Sequence, residues 1–252
     1  MSCMKKSSGD SKSFSGTLRV NGAELPYYVE QRSVKYPRLE FKTAKLLVVV
    51  PKSMGDETRL LEKKSDWIAK KHAEIQRAIE NVESRMRSTN GLFIFGDLFE
   101  VQEGGSVGID FNRKIVRCNL KNKNQVNRLL AILRRHLFNE ATRAAKNYSK
   151  KFGARFNKVF VKNQRTKWAS CSSRKNLSFN FKLIYLPKEL VRYVVCHEVL
   201  HLKEKRHDKA FWEMTEREFK DYKQMEKNLF EYWFFVQKYL AAGPKLVTAP
   251  CI

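Results

Sequence analysis

Apolar and polar positions alternate with a period of two in several short stretches of the first third of the chain. Thr17 to Val20 and Leu25 to Val29 flank the turn dipeptide Asn21-Gly22, which predicts a hairpin. Leu39 to Phe41 and Leu46 to Val50 extend the sheet, and Pro51 ends it. From Asp56 to about Ser84 the period changes. Leu60, Leu61, Trp67, Ile68, Ile75, Ile79 and Val82 fall on a helical stripe with Lys, Glu and Arg between them. Strand character returns from Gly91 to Val101, a turn follows at Gly104-Gly105, and Val107 to Val116 supplies one or two short strands.

The second half reads differently. Asn124 to Ser149 is a helix with Val126, Leu129, Leu130, Leu133, Leu137, Ala141, Ala144 and Tyr148 on one face and Arg128, Arg134, Arg135, Arg143 and Lys146 on another. Lys158 to Lys162 and Leu177 to Ile184 predict strands. Pro187 suits a first helical residue and opens a helix running to about Lys203. Lys209 to Tyr239 predicts a further helical stretch, rich in large apolar residues and ended by Gly243-Pro244. No internal repeat is visible in the sequence. The expected fold class is α+β. A disordered tail (1–14) precedes a β-rich N-terminal module (15–120) with one long helix (56–84). A helix-rich domain (121–242) with a small sheet and packed helices follows, and then a C-terminal tail (243–252).

Composition narrows the class. A hydrophobic fraction of 42% is that of a chain with a real core, yet no apolar run approaches the about 20 residues that cross a bilayer. The first residues, MSCMKKSSGDSKS, hold two lysines with no apolar stretch behind them, so no secretory signal is expected and a cytoplasmic protein is. Five cysteines are scattered without a CxxC pair, which fits reduced thiols better than a disulfide framework or zinc ribbon. The formal net charge is +24, and it is uneven. Between Phe111 and Lys182 stand 20 basic residues and one acidic residue, Glu140, whereas Val191 to Leu240 carries 10 basic against 9 acidic. Such a field draws polyanions, so segment 111–182 is the expected contact for nucleic acid or another polyanion.

The chemistry is concentrated in HEVLH at 197–201. Histidines at i and i+4 lie on one helix face, so His197 and His201 can reach one metal ion. Glu198 is displaced around the helix and can address a metal-activated water as general base. A catalytic zinc needs a third protein ligand and an open position, and His207, six residues after His201, is the best candidate by spacing. The intervening residues lack the glycine that metzincins use for the return turn. Of five histidines in the chain, three fall within 197–207, which makes a metal site the favoured reading; His72 and His136 suit helix surfaces. Arg165, Lys167 and Trp168 are candidate substrate-binding residues, and the two cations could stabilise an oxyanion or hold an anionic substrate. Cys196 lies about 100° around the helix from His197 and suits the core.

The stretches KWASCSS (167–173), LSFNFKLIYLP (177–187), VRYVVCHEVLHL (191–202) and RHDKAFW (206–212) resemble the YgjP-like metallopeptidase family, itself similar to SprT-like proteases. EQRSVKYPRLEF, the VVVP strand end and SDWIAKKHAEI extend the likeness, to roughly residues 25–235. The resemblance implies a minimal zincin-like HExxH domain over 121–242, with His197, His201 and His207 as ligands of one zinc ion, Glu198 as general base, and Trp168 to Ser173 as a strand edge or turn beside the site. Ala169 departs from the family's usual glycine and puts the local backbone in question.

Three functions follow. The leading one is a zinc metallopeptidase acting on protein or peptide, on or near nucleic acid. The second is a metal-dependent hydrolase of nucleotides or other phosphorylated small molecules; no Gly-rich phosphate loop supports it. The third is a nucleic-acid-binding module with a structural zinc, which needs a fourth ligand from Glu204, Asp208, Glu213, Cys171 or elsewhere. No membrane partner is expected, and the sequence leaves the oligomeric state open.

Overall fold

The computed structural model describes residues 14–20, 22–42, 45–54, 56–86 and 91–242. Asn21 and both expected tails, apart from Phe14, lie outside the described residues. The chain divides into two compact units, Met1–Glu80 and Asn81–Ile252.

In the first unit, strands β1 (Phe14–Val20), β2 (Ala23–Arg32), β3 (Arg38–Lys42) and β4 (Lys45–Pro51) form a sheet in the order β1-β2-β4-β3. β2 and β4 run parallel, and the outer pairs are antiparallel. Leu46 to Val50 is buried throughout, as a central strand covered on both faces must be. Leu46, Val48 and Val50 pack with Leu61 and Ile68. These two come from separate helices, α1 (Thr58–Lys63) and α2 (Ser65–Met86), where one helix was expected. The helix breaks at Lys64, whose amide closes on the Leu60 and Leu61 carbonyls, and it resumes when Ile68 N–H takes the Lys64 carbonyl.

The second unit opens with β5 (Gly91–Ile94), β6 (Asp97–Gln102), β7 (Gly108–Asp110) and β8 (Ile115–Arg117), ordered β5-β6-β8-β7. Order and pairing senses repeat those of the first sheet, a duplication of topology with no repeat visible in the residues. Helix α3 (Lys123–Phe152) is capped by the Asn122 side chain, which accepts from the amides of Asn124 and Gln125, and it ends at Gly153 in the left-handed region. A three-stranded sheet follows in the order β10 (Ala169–Cys171), β11 (Leu177–Asn180), β9 (Val159–Lys162). Helices α4 (Lys188–Leu200), α5 (Lys209–Glu218) and α6 (Tyr222–Ala242) complete an α+β fold that has, among the described residues, six α-helices and three small mixed sheets.

Several boundaries differ from the sequence reading. The division falls at 80/81 rather than near 120, because Leu92, Phe93, Ile94, Phe99 and Val116 share one core with Leu129, Leu133 and Leu137 of α3. The strand expected over 177–184 stops at Asn180, fully buried, whose side chain accepts from Lys182 N–H and donates to the carbonyls of Gln164 and Lys167. Phe181–Tyr185 then winds as a 3-10 turn. Pro187 is the residue before the helix rather than its first. The stretch 209–239 breaks at Phe219, whose extended backbone drops its ring against Tyr148 and Tyr193. No helix among the described residues is long and apolar enough to cross a membrane.

Candidate metal centre

Helix α4 is held almost all round. Leu190, Val191, Val194, Val195 and Val199 sit in the main core, and Cys196 and Leu200 pack against Phe211 of α5. Its start is fixed by the β5–β6 turn. Phe95 and Gly96 both have positive φ (53° and 80°), the requirement of a two-residue type I′ hairpin. Gly96 approaches Pro187 so closely that a Cβ would lie 2.8 Å from the proline Cα. Phe95 N–H donates to the Ile184 carbonyl at 2.6 Å. A buried turn thus sets the origin of the helix that carries the chemistry.

His197 lies in the last turn of α4 and His201 is the residue that ends it. The chain then tightens, with Leu202 N–H on the Val199 carbonyl and Lys203 and Glu204 N–H on that of Leu200. None of residues 201–207 has a positive φ, so the return needs no glycine. Asp208 opens α5 by accepting from Phe211 N–H at 3.1 Å, and Trp212 Nε1–H donates to the His207 carbonyl at 3.1 Å. These bonds hold His207 over the helix. Its Nε2 is 2.9 Å from Nε2 of His197 and 3.0 Å from Nε2 of His201. Two nitrogens at about 2.0–2.1 Å from a tetrahedral zinc stand ~3.3 Å apart, so the three imidazoles fit one ion with little adjustment. Burial and the neighbouring imidazoles push the His197 pKa down to about 3, and burial lowers that of His201. Neutral rings with free lone pairs are what a metal requires.

Glu198 is buried between this cluster and strand β10. The Cys171 backbone amide faces its carboxylate and favours the charged form, while Oε2 has no hydrogen-bond partner. Burial raises its pKa to about 7, against the pull of Lys167 and of the Cys171 amide. A divalent cation nearby would draw it down again. The cleft in front, of about 580 Å³, is lined by Glu198, the three histidines, β10 residues Ala169 to Cys171, and Lys175 and Lys205. Among the described residues, no fourth His, Cys, Asp or Glu donor joins the three imidazoles.

The structure thus brings His197, Glu198, His201 and His207 together. Segment 169–171 is the expected edge strand beside them, and Ala169 is accommodated without positive φ. Arg165 and Trp168 do not line the cleft. Trp168 Nε1–H donates to the Leu229 carbonyl at 3.2 Å, and its ring meets Trp233 edge-on. Lys167 is exposed and acts on Glu198 through its charge. Sequence reasoning missed Phe211, whose ring lies 4.7–4.9 Å from all three imidazoles, and the cleft lysines 175 and 205. The i, i+4 and i, i+10 spacings of Phe211 from His207 and His201 were available signals, but nothing distinguished this aromatic from the others on α5.

The α+β fold and the imidazole cluster have the form of a metal-dependent hydrolase. The chain belongs to the YgjP-like family: the family model described as "YgjP-like, metallopeptidase domain" matches residues 35–232. Membership makes it a metal-dependent hydrolase of the metallopeptidase type. Comparison with curated proteins finds no match.

Proposed function

We propose that the protein is a zinc-dependent peptidase, with His197, His201 and His207 as ligands of one zinc ion and Glu198 as general base. The observation that carries the reading is the convergence of three Nε2 atoms beside a buried carboxylate whose Oε2 has no other partner. Zinc held there would supply a Lewis acid that lowers the pKa of water at the site toward about 7. Glu198 takes a proton from the attacking water at Oε2 and returns it to the leaving amine, while the Cys171 amide steadies its charged form. Three donors without a fourth favour a catalytic over a structural ion. The substrate is protein or peptide, and the basic segment 111–182 favours work on or near nucleic acid. Unpaired Cys118, Cys171 and Cys196 fit a cytoplasmic, reducing compartment.

The test compares wild type with Glu198→Gln for bound zinc and for cleavage of peptides and unfolded proteins, with and without DNA or RNA. The expected result is equal zinc content and a loss of about 100-fold or more in cleavage. Cleavage that persists in the variant removes this site from the reaction. Metal-dependent release of phosphate from nucleotides without proteolysis replaces the peptidase reading by the phosphohydrolase one.

A further inference from the structure

The sheet β10-β11-β9 has two outer strands with different neighbours. β10 lines the cleft beside Glu198, whereas β9 borders a groove of about 570 Å³ against α3. Leu130, Ala131, Val159 and Val161 line this groove together with the rings of Phe138 and Phe160. Those rings are 39% and 37% exposed, and among the described residues they are the large apolar side chains of the second unit left in solvent. Two solvated rings in one groove mark a contact surface.

The rim is cationic. Arg135 lines the groove, Lys158 and Lys162 flank Phe160 along β9, and Arg128 stands two turns before Arg135 on the same side of α3. All four are exposed, and Lys162 Nζ lies 4.9 Å from the centre of the Phe160 ring. Among the described residues none of the four is in an ion pair. Glu140, the one acid between 111 and 182, is held by Arg143 and Arg192. The complement of this surface is therefore an anion that also offers flat apolar faces.

An acidic peptide added as a strand fits less well. In the parallel pairing, Leu177 N–H donates to the Lys158 carbonyl, which turns the carbonyls of Val159 and Val161 away from β11. The Val161 carbonyl already accepts from Arg134 Nη1 at 3.1 Å, and the Arg134 guanidinium is seated over the Phe181 ring at 4.8 Å. One of the two outward carbonyls of β9 is thus taken by a side chain of its own unit, and the exposed features beside it are ring faces and cations. Unpaired bases present π faces and carry one phosphate charge each; a duplex hides those faces in its own stack.

We propose that this groove binds single-stranded nucleic acid, with bases against Phe138 and Phe160 and phosphates along Arg128, Arg135, Lys158 and Lys162. The inference stands apart from the hydrolase reading, because groove and cleft lie on opposite edges of one sheet and binding is read without catalysis.

The test is fluorescence anisotropy of labelled oligo-dT and oligo-U of about 20 nucleotides against the full chain, over a range of salt. Wild type binds, with a log–log salt slope of roughly −3, about −0.7 for each of four phosphate contacts. Phe138→Ala with Phe160→Ala weakens binding about 30-fold or more at fixed salt and leaves the slope unchanged. Replacing both by Tyr retains affinity, which separates ring stacking from a folding defect. Arg135→Glu with Lys162→Glu flattens the slope. Failure of both oligonucleotides to bind overturns the proposal. So does binding that ignores the double alanine variant, or competition by polyglutamate as effective as by unlabelled oligonucleotide.

Discussion

The Nδ1 of His201 lies 3.0 Å from the carbonyl oxygen of Glu204, three residues further along the chain. A carbonyl only accepts, so Nδ1 carries the ring proton and Nε2, 3.0 Å from that of His207, keeps its lone pair. The turn that ends α4 therefore selects the ligand tautomer by itself. His201→Ala and His207→Ala should weaken zinc binding by more than the about 10–100-fold typical of losing a supporting partner. Trp212→Phe, which removes the donor to the His207 carbonyl, should fall within that range. Glu204→Ala should change little, since only the Glu204 backbone takes part. Zinc titration against a competing chelator checks all four.

Phe211 is fully buried and touches the three imidazoles at once. Phe211→Ala should cost about 3–5 kcal/mol of stability through the cavity it leaves. Phe211→Leu should cost about 1–2 kcal/mol and fold normally. The leucine variant should still bind zinc more weakly than wild type, because the rings lose the face that fixes their mutual angles. Denaturant unfolding of the metal-free protein and chelator competition separate the two effects.

Sequence reached the site and missed its supports for a physical reason. Helical spacing places His197 and His201 on one face whatever surrounds them, and six residues suffice for His207 to return. Each of those statements is local. The Cys171 amide, the Phe95-Gly96 turn against Pro187 and the Phe211 ring act from other elements, and only tertiary packing brings them to α4. The same holds for the helix break at Phe219. Apolar periodicity runs on through 209–239, and it is the placement of the Phe219 ring between Tyr148 and Tyr193 that interrupts it.

His136 packs against the Phe111 ring at 4.6 Å, and burial lowers its pKa below 6.5. The unfolded chain therefore binds this proton more readily than the folded one. Stability from this group is present above pH 6.5 and is lost as pH falls through the unfolded and then the folded pKa. His136→Phe keeps the ring contact and removes the titration. The variant should hold a constant margin above about pH 7 and gain on wild type as pH falls from there to about 5, read as the difference in urea midpoints. His72, His197 and His201 shift in the same direction and cancel in that comparison.

Lys175 holds a left-handed backbone (φ 56°) in the loop from β10 to β11, and it lines the cleft. Its N–H donates to the Ser172 carbonyl and its carbonyl accepts from Asn157 N–H, bonds that glycine would keep. Lys175→Gly should stabilise the fold by about 0.5–1 kcal/mol by relieving the strain of a Cβ in that region. The same change removes a cation from the cleft. Its kcat/KM should fall toward peptides with acidic side chains and hold for neutral ones, measured on a matched pair of substrates.

Trp168 stands beside the site in sequence, where it was expected to contact substrate, yet its contacts run toward α6. The indole N–H takes the Leu229 carbonyl, the ring meets Trp233 at 5.0 Å, and Lys182 Nζ lies 5.1 Å from the centre of that second ring. The Trp168 carbonyl in turn accepts from Asn180 N–H, which helps to end β11. These are the contacts of a tie between the three-stranded sheet and the last helix. Trp168→Phe keeps the apolar body and loses the donor, so it should cost about 1–2 kcal/mol of stability. Its kcat and KM on a peptide substrate should stay within about twofold of wild type, because no step of the proposed reaction reaches the ring. A rise in KM at unchanged unfolding midpoint would reverse that assignment and return Trp168 to the substrate side of the cleft.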